Sequence, residues 1–243
     1  MKKTLPPHTS HPFLVVRQEQ FATLQKKAAQ SPWKEMKQDA LIRFQTLQFC
    51  PNENYVLRCD SVRDITDAAA LVYILEPSQR TQCIQKLLEM VQLWLPGVTG
   101  NLYDELYKTP GDHWVGAIPP GAVFVSCLLA LDIMYNDLTK EQLFRCEQAL
   151  TPIANNFNQN DENHMVAILG VRGLWALYKG QMEPLFAAWE AWKALFFSYI
   201  TEDGVGVASV DYSVDRFVRG ERISKVILPI VMDITGIDTT FFK

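Results

Sequence analysis

Asp161-Glu162-Asn163-His164 stands in front of the run Met165-Val166-Ala167-Ile168-Leu169-Gly170-Val171-Arg172-Gly173-Leu174-Trp175-Ala176-Leu177-Tyr178, and Gly180 closes it. A polar opening, an apolar body and a glycine just past the end are the start, core and C′ signals of one α-helix. Glu183 to Ile200, rich in Trp and Phe, reads as a second helix. A link this short returns the second helix antiparallel to the first.

The same build recurs upstream. Phe21, Leu24 and Ala28 give helical spacing to a segment from about Gln18 to Ala29. Ser31-Pro32-Trp33 starts another that runs to about Phe49, with Ser31 as cap and Pro32 in the first turn. Pro51-Asn52-Glu53-Asn54 breaks it. Val62 to Leu75 and Gln79 to Leu95 follow, separated by Pro77-Ser78. Gly100 to Pro120 is a long irregular stretch. Gly121 to Tyr135 is helical, and Thr139-Lys140-Glu141-Gln142 begins a helix ending near Ala154, capped by Thr139 or Asp137. A last helix is expected from about Tyr212 to Thr235, interrupted by Pro229. Only 205–210 has strand-like content. The expected class is all-α: stacked antiparallel helix pairs in one domain over residues 1–243, with residues 1–12 loosely ordered. No fixed repeat period is present.

Hydrophobic residues make up 48% of the 243 positions, enough for a buried core. No apolar run approaches the ~18 residues of a membrane span. Lys2 and Lys3 are followed by Leu5-Pro6-Pro7-His8 where a signal peptide would carry its apolar region, so a cytoplasmic location is the default expectation. Twenty-three basic against 27 acidic residues leave a net charge of −4, which gives no broad basic face for nucleic acid. The best local basic cluster is Arg216, Arg219, Arg222 and Lys225. Cys50, Cys59, Cys83, Cys127 and Cys146 lack metal-binding spacing and read as small hydrophobes in helices; no metal or cofactor is expected.

Three groups of residues carry chemistry. Asn163 can donate an amide N–H to a carboxylate, and His164 can exchange a proton near neutral pH; equally, Asp161 caps the helix and the pair merely occupies its first turn. If Tyr212 begins a helix, Arg216 lies one turn further on the same face, and a guanidinium beside a phenol favours the phenolate; the alternative is a surface Tyr–Arg stack. Asn101, Tyr103, His113 and Trp114 share the long loop, where aromatic rings can stack on sugars or pack on the core. His8 and His11 fall in the loosely ordered first residues and receive no role. Trp175, Trp189, Trp192, Phe196 and Phe197 are at helical spacing and read as core.

In order along the chain, His11-Pro12-Phe13-Leu14, Ser31-Pro32-Trp33-Lys34, Leu131-Asp132-Ile133-Met134-Tyr135-Asn136 with Leu138-Thr139-Lys140-Glu141-Gln142, Asn163-His164, and Asp203-Gly204 with Tyr212 and Arg216 resemble the helical domain of the heparinase II/III-like and alginate lyase polysaccharide lyases. The resemblance implies a partial or complete (α/α) toroid with a central groove that cleaves uronate-containing acidic polysaccharide by β-elimination. It implies that Asn163 binds the uronate carboxylate, that Tyr212 serves as base, acid or both, that His164 assists, and that Arg216, Asn101, His113 and Trp114 contact substrate. Family members are commonly periplasmic or secreted and continue into a β-sandwich, which is absent before Lys243. Val205-Gly206-Val207-Ala208 lacks the family's acidic and aromatic residues, and Asn163 to Tyr212 is a shorter spacing. A non-catalytic carbohydrate-binding or structural helical scaffold is the alternative.

Overall fold

The computed structural model describes residues 10–93, 118–156 and 162–198. Among these residues every regular element is helical: α1 (Phe21–Lys27), α2 (Trp33–Thr46), α3 (Tyr55–Leu75), α4 (Arg80–Gln92), α5 (Ile118–Met134), α6 (Lys140–Asn156), α7 (Glu162–Tyr178) and α8 (Met182–Ser198). Short 3-10 turns at Gln18–Gln20, Pro77–Gln79 and Tyr135–Asp137 stand before α1, before α4 and after α5. No described helix is long and apolar enough to cross a membrane. The strand-like stretch 205–210 and the expected helix from Tyr212 to Thr235 lie outside the described residues.

Contacts gather the chain into two compact units: Ser10–Asn156, and Met1–Thr9 with Phe157–Lys243. In Ser10–Asn156, α3 is the hub, packed against α1, α2, α4 and most extensively α5. Its sequence explains this position. Val62, Ile65, Thr66, Ala68, Ala69, Ala70, Val72 and Tyr73 are all buried, and three consecutive alanines let a neighbouring backbone come close. On α5, Val123, Phe124, Cys127, Leu128, Ala130, Leu131 and Met134 are buried, while Ala122, Val125 and Leu129 form a partly exposed apolar stripe. Each fully buried Leu, Met or Phe contributes about 1.5–3 kcal/mol. Thr66 Oγ1 lies 4.0 Å from Cys127 Sγ, which locates the face shared by α3 and α5.

Helix ends follow local chemistry. Asn54 caps α3 by accepting from Leu57 N at 3.0 Å, so α3 begins at Tyr55, seven residues before the expected Val62. Ser31 does not cap α2: its hydroxyl donates to Glu35 Oε1 at 3.0 Å, and Pro32 occupies the cap position. α2 ends at Thr46 rather than Phe49 because Lys86 of α4 donates to the carbonyls of Phe44 at 2.6 Å and Leu47 at 3.4 Å. A cation there meets the negative end of the helix dipole. α5 starts at Ile118, so Pro119 and Pro120 fall in its first turn, where a missing N–H leaves no bond unmade. Thr139 caps α6 in a reciprocal box: Gln142 N donates to Thr139 Oγ1 at 3.2 Å, and Thr139 N donates to Gln142 Oε1 at 2.9 Å.

In the second unit, α7 and α8 form a hairpin with broad mutual contact. Gly180 has φ 67°, Gly180 N donates to Leu177 O at 3.0 Å and Gln181 N to Ala176 O at 2.7 Å. These are the two bonds of the Schellman motif, and they turn the chain into α8. Trp175 and Trp189 are buried as expected, and Trp192 is half-buried. Trp175 stacks on Tyr178 and Trp189 on Trp192, with centroids 5.6 and 5.3 Å apart.

Replacing Gly180 by Ala puts a Cβ in the left-handed region at a cost of about 1–2 kcal/mol, and Thr139→Ala removes a cap at about 1 kcal/mol. Urea titrations followed by helical circular dichroism should show both losses. An unchanged midpoint for either variant would remove that end signal from the account.

Candidate functional site

Asp132 is the only charged residue of α5 and has no solvent exposure. It lies in the last turn, where the helix dipole disfavours a negative charge by about 0.3–1 kcal/mol. Three donors outweigh that penalty, since hydrogen bonds to charged groups are each worth about 1.5–3 kcal/mol. Phe13 N and Leu14 N both donate to Oδ2 at 2.9 Å, and His11 Nδ1 stands 2.6 Å from Oδ1. In the neutral ring, this contact puts the proton on Nδ1 and makes Nε2 the basic nitrogen. The imidazole stacks on Tyr135, centroids 3.9 Å apart and 18° between planes, and lies 4.9 Å from the Phe13 ring. Asn136 Nδ2 donates to His11 O at 2.8 Å.

This junction corrects the reading of the amino terminus. Expected to be loosely ordered and without a role, His11 and Pro12 are held in place, Pro12 and Leu14 are buried, and His11 binds a residue 121 positions away. The segments His11-Pro12-Phe13-Leu14 and Leu131 to Asn136, singled out separately in the sequence, are parts of one contact. A lone histidine beside a proline carries no local signal for so distant a partner.

Two further polar groups belong to α3. Tyr73 donates its hydroxyl to Asp137 Oδ2 at 2.6 Å, while Arg80 covers the Tyr73 ring at 4.7 Å and reaches Asp137 at 3.8 Å. Burial, then the bond to Asp137, pushes the Tyr73 phenol well above its ordinary range against the opposing pull of Arg80, so it stays a donor. On the outer face, Arg63 pairs with Asp60 at 2.8 Å and Asp64 at 3.1 Å, and Arg43 of α2 reaches Asp64 at 3.4 Å. Asp67 touches solvent in the same row, yet surrounding atoms crowd its carboxyl. Desolvation therefore raises its pKa, opposed by the Ser126 hydroxyl and Arg63.

The five cysteines are free, and all but Cys50 are buried. Burial pushes the thiols of Cys83, Cys127 and Cys146 from near 9 up to about 12, as inert small hydrophobes require. Among the described residues, no group of three or more His, Cys, Asp or Glu side chains could hold a metal ion.

Asn163 and His164 fall in the first turn of α7 by backbone position, one and two residues after its start at Glu162. Their side chains lie outside the described part of the structure. Asn101, Tyr103, His113, Trp114, Tyr212 and Arg216 lie outside the described residues altogether. The chain matches no protein-family model, no curated protein and no solved structure.

Asp132→Ala removes the acceptor shared by the His11 imidazole and two backbone N–H groups, and each buried donor left unsatisfied costs about 1–3 kcal/mol. Urea denaturation should show that loss, with faster amide exchange at Phe13 and Leu14 in the folded variant. A loss under about 1 kcal/mol would contradict the role given to Asp132. The thiols give a second expectation. A group whose folded pKa is raised stabilises fully below its unfolded value, so stability should fall as pH rises from about 9 toward about 12. A triple Cys→Ala variant at positions 83, 127 and 146 should have a flatter alkaline slope; an identical slope would assign the loss to other groups.

Proposed function

We propose that the chain is a polysaccharide-lyase-like helical domain, built as a partial or complete (α/α) toroid, acting on a uronate-containing acidic polysaccharide. The observation that carries this reading is the position of Asn163-His164 in the first turn of α7. Helix N-termini present backbone N–H groups without intrahelical partners and favour an anion by about 0.3–1 kcal/mol, which suits a uronate carboxylate. The ordered resemblance of the surrounding motifs supports the same reading.

On this proposal Asn163 donates its amide N–H to the carboxylate and stabilises the enolate-like charge that forms when C5 loses its proton. Tyr212, held partly ionised by Arg216, removes that proton. The C5–H electrons form the C4=C5 double bond, the C4–O4 bond breaks, and the leaving oxygen takes a proton from the phenol. His164 positions the sugar, while Asn101, His113 and Trp114 line the groove. A carbohydrate-binding or structural scaffold without turnover is the second reading. It is favoured by the Ser10–Asn156 unit, where His11, Asp132, Tyr73 and Asp137 are engaged in ties within the fold.

Incubation with alginate, heparan sulfate and hyaluronan should release unsaturated uronate, read by its ultraviolet absorbance. Tyr212→Phe should lower the rate by about 10²–10⁴-fold at an unchanged Tm. Binding by calorimetry that Asn163→Ala weakens, without any absorbance, would establish the second reading in place of the first. Neither binding nor turnover from folded protein would remove both carbohydrate readings.

A further inference from the structure

We draw no further inference here: the strongest candidate, the carboxylate row Asp60, Asp64 and Asp67 on the outer face of α3, is an acidic cluster already met by Arg43, Arg63 and Ser126, and nothing else in the structure points to a ligand there.

Discussion

A carboxylate shut away from water has to find its solvation inside the protein, and the Ser10–Asn156 unit is arranged around that requirement at Asp132. Its surroundings on α5 are hydrocarbon. An unpaired buried charge would cost several kcal/mol, comparable with much of the stability of an ordinary domain. The donors come from outside the helix bundle, in the segment before α1. Once two consecutive amides and an imidazole are committed to one carboxylate, the path of residues 11–14 is set, and Leu14 and Val16 are delivered to buried positions.

The apolar core and this polar tie reinforce each other. α5 can be apolar over most of its surface because α3 offers it a surface of small and branched residues, and because its one charge is met by hydrogen-bond donors at its end rather than in its middle. The Tyr73–Asp137–Arg80 group lies just beyond, joining α3, the start of α4 and the 3-10 turn after α5. Tyr135, Asn136 and Asp137 therefore bind in two directions: the first two to the amino-terminal segment, the third to α3. A single short turn connects the apolar layer to its edges.

What the sequence made legible was local. Helical periodicity, the break at Pro51 to Asn54, the Thr139 cap and the Gly180 terminus all depend on residues within a turn of one another, and each has a side-chain or backbone signature. The start of α3 is not legible because Tyr55 to Ser61 mixes Arg58 and Asp60 with apolar residues, hiding a helix that Asn54 caps and Tyr55 and Cys59 bury. The end of α2 depends on Lys86, forty residues away, and His11 on Asp132, three times as far. Such pairs leave no mark in spacing or composition. The candidate site has the same difficulty. Asn163 and His164 can be placed on a helix from their neighbours, but whether they share a groove with Tyr212 is a matter of long-range convergence.

The separation between His11 and Asp132 also has a bearing on biosynthesis. At about 5–20 residues per second, a ribosome would need roughly 6–24 s to add the intervening chain. Throughout that interval Phe13 and Leu14 have no carboxylate to bind, and α3 lacks its largest neighbour. Translation order thus leaves residues 11–14 and α3 waiting for α5, with only α6 of the first unit still to follow.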